Sequence, residues 1–513
     1  MRFIPGRMAQ RWVRWRACCS GWPGRCWRLC GRASGPLARG RAMRKQVWER
    51  IRWGLWVLLL LGLPISSFAY FPKAIGGGAQ VRPFALYPLI VLAIFVTLPA
   101  LFRRRLPLSA AWLGLFVMVA VLASALFLFR DLPPVNGVRP PARVVRGFIT
   151  LVIGAAFYLT VALFPRSWED LRRTLRWLYA ALAWALAWGT FQIGYVLTHS
   201  YAWYLKANHL QRLISSRDLL TRRISGPAYE PNWFASQLLL VFLPWLLASV
   251  LTGRSLFRLR WRWVTVELAL TVWAFVVLLF TYSRAGLAMA GGMLALAVFL
   301  RPSERFSMKA RLLSLAGLGV VAVAALAVLG KINPYFARLW TAAGQPLEKY
   351  VFMLGMQGRF SYWQAAYAVY QQHPWLGVGL GNFAFYFAQA VHPKPLGGLD
   401  TELLKVLLPG SGYGLVTPKN LYVRLLAETG LVGFVTFMAF WQGVFRDGVQ
   451  LFVAGGEESF WGLGAILGFA ALLLYGLSFG SFAVASMWVF LGLVTAAALV
   501  ARASREPAAV EKG

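Results

Sequence analysis

From residue 54 onward, apolar runs of roughly 20 residues alternate with short polar breaks. The runs fall at about 54–71, 84–102, 106–129, 147–165, 174–198, 232–252, 262–281, 284–300, 311–330, 420–445, 459–479 and 481–501. Each is long enough to cross about 30 Å of hydrocarbon as a helix. The pattern predicts an all-α, polytopic membrane protein of about twelve crossings, nine over 54–330 and three over 420–501. Between them, 331–419 is too polar to stay in a bilayer and is expected as a long external loop. Within it, from Arg359, the run FSYWQAAYAVY places Trp363, Ala366, Tyr367 and Tyr370 at i, i+3, i+4 and i+7. That spacing predicts the apolar face of a surface helix. Pro374 ends it, and Gly377, Gly379 and Gly381 follow.

Orientation follows from the excess of Lys and Arg on the cytoplasmic side. With the N-terminus inside, the inner loops carry Arg103 to Arg105, then Arg166, Arg172, Arg173 and Arg176. The next two carry Arg254, Arg258, Arg260 and Arg262, then Arg301, Arg305, Lys309 and Arg311. Both termini are thereby expected in the cytoplasm. Two outer segments break the rule: 199–231 holds Arg212, Arg217, Arg222 and Arg223, and the turn TYSRAG holds Arg284. Arginines placed against the topological rule need another reason, either an anionic ligand or lipid phosphate.

Composition agrees with the pattern. Of 513 residues 59% are hydrophobic and 14% charged, too apolar for a water-soluble domain. Twenty-four Trp and eighteen Tyr suit the aromatic belts at bilayer interfaces. The net charge of +36 sits mostly in the N-terminal segment and short loops, which favours anionic lipid or a phosphate-bearing substrate over nucleic acid. Residues 1–53 are rich in Arg and Trp without helical periodicity. They are expected to form a basic cytoplasmic extension without fixed structure, with Met43 as an alternative start. The apolar run behind them lacks a small-residue cleavage site, so no signal peptide is expected. All four cysteines (Cys18, Cys19, Cys26, Cys30) lie in this extension and match no metal motif. The polar tail 502–513 is expected in the cytoplasm.

Four pieces converge on the outer face: RRISGPAYEPN, SRAG, GRFSYWQAA with HPWLGVGLGNF, and KNLYVRLLAETGLVG. In order, spacing and sidedness they resemble the O-antigen ligase and O-antigen polymerase superfamily of bacterial envelope glycosyltransferases, over about 220–435 and in the twelve-helix layout. The resemblance implies a GT-C-like fold in the cytoplasmic (inner) membrane, its active site facing the periplasm or cell exterior. It also implies transfer of a glycan from undecaprenyl diphosphate to an acceptor sugar, which is lipid A core in ligases and another lipid-linked repeat unit in polymerases. No nucleotide sugar, metal or other cofactor is expected.

A departing diphosphate develops negative charge, which guanidinium groups at a low-dielectric boundary stabilise through paired hydrogen bonds. Arg223 and Arg284 sit where that phosphate would lie and match two arginines of the family's motifs. Arg222, Asn232 and Tyr422 are further substrate-binding candidates. Arg359, also a motif position, is either a third phosphate ligand or a partner for Glu348. The run GVGLGNF is either an anion-cradling loop or a glycine-rich turn; no strand precedes it and no G-K-[ST] follows, which excludes a nucleotide fold. Where the family usually has His-Asn, this chain has Lys419-Asn420. A lysine binds phosphate but is a poor general base because its ammonium holds its proton tightly. Lys419 is then another anion ligand, or the base lies elsewhere. Candidate bases are Glu230, beside Pro231-Asn232, and Glu428, which can equally pair with an arginine; His392 and His373 are the nearby imidazoles.

A ligase-like reading is preferred, with a polymerase as the alternative. A transporter or flippase of anionic glycolipid would also use charge near the membrane. However, it should show internal repeats and groups reachable from both sides, and neither is visible here. A non-catalytic assembly partner is the third reading.

Overall fold

The computed structural model describes residues 36–71, 81–103, 106–128, 130, 132–300, 307–342, 344–392, 401–408 and 415–510. The four cysteines, Arg104, Arg105, Arg301 and Arg305 lie outside the described residues.

The chain divides into Met1–Trp56 and Val57–Gly513. In the first unit, helix α1 (Pro36–Gly62) begins inside the extension expected to lack structure. An Arg52 to Glu49 pair at 2.9 Å, three residues apart, supports that turn. The predicted run to 71 is cut short at Gly62, because Pro64 has no N–H to continue the helix and restricts the residue before it. The chain instead runs extended: Phe68 N donates to Arg82 O (2.7 Å) and Arg82 N to Ser66 O (3.0 Å).

The other eleven apolar runs also coincide with helices. They are α2 (Leu86–Arg103), α3 (Leu108–Leu128), α4 (Pro140–Leu163), α5 (Trp168–Thr198), α7 (Pro231–Thr252), α8 (Val266–Phe280) and α9 (Arg284–Phe299). After these come α10 (Met308–Ile332), α16 (Leu421–Ala454), α17 (Gly456–Gly476) and α18 (Ala485–Val510). Among the described residues nine helices are long and apolar enough to cross a membrane, and α8 and α9 are shorter apolar helices. The protein is thus an all-α polytopic membrane protein. Widened π-turns at Ala93–Thr97 in α2 and Leu238–Phe242 in α7 each precede a proline, Pro99 and Pro244. A proline ring clashes with the carbonyl four residues back, and the wider turn relieves it. Helix α18 continues to Val510, through most of the expected tail.

Small helices fill the segments between the long ones. They are α6 (Tyr201–Ile214), α11 (Pro334–Thr341), α12 (Leu347–Met353), α13 (Gln357–Gln372), α14 (Phe383–Ala390) and α15 (Thr401–Leu407). The strands β1 (Arg260–Trp261) and β2 (Val264–Thr265) form one hairpin.

Burial separates centre from rim. The central windows of α7, α18 and α17 are 89%, 83% and 72% buried, whereas that of α10 is 6% buried. Trp245 of α7, Trp461 of α17 and Phe490 of α18 meet in this centre, with ring centroids 5.2 and 6.2 Å from Trp245. Charge sorts the two ends. At one, Arg172 grips Glu457 (2.6 Å), Arg502 meets Asp447 and Arg505 meets Glu458. The acids Asp447, Glu457 and Glu458 around the α16–α17 turn are thus matched by arginines of α5 and α18. The four motif pieces gather at the other end.

Candidate functional site

The loop carrying Arg223 is held by α5. Gln192, fully buried, accepts from Ser225 N (3.1 Å) and Gly226 N (2.9 Å) and donates from Nε2 to Gly226 O (3.0 Å) and Gln211 Oε1 (3.1 Å). Tyr195 donates to the carbonyls of Leu220 (2.9 Å) and Arg223 (3.1 Å). Ile224 N donates to Phe280 O (3.2 Å), which brings the loop against the TYSRAG turn. The guanidinium of Arg223 is half-buried: Nε donates to Thr281 O (3.0 Å) and Nη2 to Asn232 Oδ1 (3.1 Å). The sequence reading missed Gln192; a glutamine inside an apolar crossing was the available signal.

On the other side of that turn, Ser283 caps α9, its side chain accepting from Gly286 N (3.1 Å). This places Arg284 in the first turn, where its Nη1 donates to Leu354 O (2.7 Å), just before α13 starts. Arg359, in the first turn of α13, donates from Nη1 to Ser478 O (3.2 Å) in the turn between α17 and α18. Arg223, Arg284 and Arg359 are thus strung along a connected set of turns, each tied to a backbone carbonyl. The carbonyl of Arg222 accepts from Asn333 Nδ2 (2.8 Å), and its side chain is exposed.

Two other arginines of the 199–231 segment have acids of their own. Arg212 meets Asp218 through Nε (2.6 Å) and Nη2 (3.0 Å), and hydrogen bonding from Arg212 holds the Asp218 carboxyl below its ordinary pKa. Arg217 is paired with Glu230 and lies over the Tyr229 ring at 5.0 Å. The Glu230 side chain keeps 34% of its surface exposed.

The face of α13 differs from expectation. Tyr362, Ala365, Ala366 and Val369 are buried against Phe383, Phe387 and Ala427, while Tyr367 is 51% exposed and Trp363 and Tyr370 half-buried. The buried stripe lies one residue, about 100°, from the aromatic one. The small side chains at 361, 365 and 366 let α13 approach α14 and α16, with Tyr362 packed against Phe387 (ring centroids 5.1 Å) beside them.

Of the two readings of the glycine-rich run, the structure selects the turn, as a clasp. Helix α16 breaks at Gly430 (φ 64°, ψ −169°), and the loop enters the break. Val378 N donates to Ala427 O (3.0 Å), Gly379 N to Glu428 O (2.9 Å), Leu431 N to Pro374 O (2.8 Å) and Val432 N to Trp375 O (3.2 Å). Leu380 N donates to Ser124 Oγ (2.9 Å). These amides are committed to the protein and do not cradle an anion.

Lys419, at φ 53°, carries its ammonium over the Tyr362 ring at 4.9 Å. Asn420 is the N-cap of α16, its Oδ1 accepting from Tyr422 N (2.9 Å) and Val423 N (3.3 Å). Tyr422 donates to Leu473 O (2.7 Å). Asn420→Ala should lower stability by about 1 kcal/mol while Asn420→Asp stays near wild type, as read by thermal unfolding in detergent. Glu428 is 1% exposed, and its Oε2 accepts from Arg424 Nε (2.9 Å). Arg424 also donates to Gly480 O. Arg143 of α4 donates from Nε to Gly381 O (3.4 Å). Arg143 and Arg424 were not singled out from sequence. Arg143 had a signal, since Arg130, Arg139, Arg143 and Arg146 form another basic outer segment against the rule.

His373 packs between the rings of Phe127 (5.2 Å) and Tyr386 (5.8 Å); burial, with Arg130 near, holds it below the usual histidine pKa. His392 lies just past α14. Among the described residues no group of three or more His, Cys, Asp or Glu is placed to hold a metal.

No curated protein matches the chain. A family model described as O-antigen ligase matches residues 269–438, about a third of the chain and all of it in the C-terminal half. The match runs from α8 into α16, covering Arg284, Arg359, His392, Lys419, Asn420, Tyr422 and Glu428, while Arg222, Arg223, Glu230 and Asn232 lie outside it. Over these residues the chain is similar to the O-antigen ligase family.

Proposed function

We propose that this protein is a ligase-like glycosyltransferase that moves a glycan from undecaprenyl diphosphate to an acceptor sugar, such as lipid A core, outside the cytoplasmic membrane. The observation that carries the reading is the anchoring of Arg223 and Arg284 on opposite sides of one turn, Thr281 to Arg284, at the end of the bundle away from the acidic pairs. An acceptor hydroxyl attacks the anomeric carbon as the bond to the diphosphate breaks, inverting that centre. The two guanidinium groups take up the charge developing on the leaving group, which is the role a divalent metal fills in other transferases. Lys419 serves as a further anion ligand. Glu230 is the better base for the acceptor proton, because it is a third exposed whereas Glu428 is sealed against Arg424. The placement of these groups at one end speaks against a transporter, which needs them reachable from both sides.

The experiment is transfer by the purified full-length chain from an undecaprenyl-diphosphate oligosaccharide, with and without lipid A core, followed by gel. Product only with the core is expected. A ladder from the donor alone would make the protein a polymerase, and no product with either would overturn the transferase reading.

A further inference from the structure

Between α7 and α8 the chain reads RSLFRLRWRWVT, with arginine at 254, 258, 260 and 262 and large apolar side chains at 259, 261 and 263. The base of this segment is fixed to the bundle. Glu267, fully buried in the first turn of α8, accepts from Ser255 Oγ (2.8 Å) and Leu256 N (2.7 Å), and Phe257 meets Tyr179 of α5 with ring centroids 6.4 Å apart. Beyond that base the β1–β2 hairpin stands clear. Trp261 pairs with Val264 and Arg260 with Thr265, so Arg262 and Trp263 form the turn and the two pairs lie on opposite faces. Alternation puts Leu259 on the Trp261 face and Arg258 on the Arg260 face. Leu259, Trp261 and Trp263 are 77%, 77% and 72% exposed, and all four arginines are exposed. The nearest acid in sequence, Glu267, is already taken up at the base.

Helix α8 has 15 residues, about 22 Å at 1.5 Å per residue, against about 30 Å of hydrocarbon. It cannot carry both its ends clear of the hydrocarbon, so the hairpin at its start stays within reach of the acyl boundary. Water is the wrong medium for three large exposed apolar side chains, and the bilayer core is the wrong one for four guanidinium groups. The interface suits both, with rings at head-group level and guanidinium groups on phosphate. We propose that this hairpin is a docking site for anionic phospholipid. Leu259 and Trp261 lie against acyl chains, and Arg258, Arg260 and Arg262 bind head-group phosphates. The hairpin is at the opposite end of α8 from the turn Thr281 to Arg284, and the orientation expected from the inner-loop arginines puts that end at the cytoplasmic leaflet, whose surface is negative. The inference therefore does not rest on the transferase reading. What the site supplies is depth: α8 leads to the Thr281 carbonyl that Arg223 uses, so anchoring its start sets the level of that turn in the bilayer.

The test uses the full-length chain in phosphatidylcholine nanodiscs containing a phosphatidylglycerol or a phosphatidylcholine probe with a diazirine near the head of its acyl chain. Labelling of the segment 254–265 is expected from the phosphatidylglycerol probe, competed by unlabelled phosphatidylglycerol and weakened by salt, and much less from the phosphatidylcholine probe. An arginine at an anionic surface contributes about a fivefold preference, so Arg258→Gln, Arg260→Gln and Arg262→Gln combined should cut the ratio of the two labels at least about tenfold. Trp261→Ser should lower labelling by both probes and keep their ratio. Equal labelling of the wild-type chain by the two probes would overturn the anionic assignment. No label on this segment would place the hairpin in water, and cross-linking of two copies through it would make it a self-association surface; either result overturns the site. Thermal unfolding in detergent checks that the variants fold, and the wild-type comparison decides without them.

Discussion

Replacing Arg284 or Arg223 by alanine is expected to abolish detectable glycan transfer while the protein remains inserted and folded. Removing one preorganised donor from a site that stabilises developing negative charge costs about 10²- to 10³-fold in kcat, and an arginine facing a diphosphate supplies two donors and a full charge. The two variants differ in what else they disturb. Arg284 loses one link, to Leu354 O, between the head of α9 and the start of α13. Arg223 also bridges Thr281 O and Asn232 Oδ1, so its loss loosens the turn and the start of α7 together. Arg284→Lys keeps the charge and loses the planar fork, and should recover only a small part of the activity. Turnover measured alongside detergent-solubilised yield and thermal unfolding separates these effects. Full activity in both alanine variants would remove the proposed diphosphate site.

The second large effect is structural. Gly430→Ala should leave little folded protein, a destabilisation above about 4 kcal/mol, beyond the range of ordinary substitutions. At φ 64° and ψ −169° the backbone occupies a region open almost only to glycine. A Cβ there would also stand inside the contact shell of the Trp375 carbonyl group. Across the clasp, a Cβ on Gly377 (φ 66°) would lie 2.6 Å from Ala427 O. Both partners are backbone, so neither can swing aside. Gly455→Ala, at φ 76° but with open space around it, supplies the control for conformational strain alone. Thermal unfolding of the three variants in one detergent would distinguish clash from strain. A stable Gly430→Ala protein would show that the break in α16 can close up as ordinary helix.

The sequence by itself determined the helices. Apolar runs of membrane length have one way to satisfy their backbone inside a bilayer, so all twelve runs correspond to helices, and proline at 64 ended the first of them early, at Gly62. Counting arginines against the positive-inside rule likewise pointed to Arg223 and Arg284, because a charge placed against its topological cost implies a partner. The same count applied to 130–146 would have reached Arg143. Only the tertiary structure decided which outer arginines are already matched by local acids: Arg212 by Asp218 and Arg217 by Glu230. Pairing depends on side-chain reach across a folded loop, and spacing along the chain does not encode it. Tertiary contact also turned α13 by one residue. Its aromatic stripe is the more apolar, but the stripe of Ser361, Ala365 and Ala366 allows the closer approach. The GVGLGNF run was compatible with an anion loop until its amides were seen bonded to the opened turn of α16. A glycine-rich sequence specifies backbone freedom, and the neighbour that takes up that freedom is fixed by the fold.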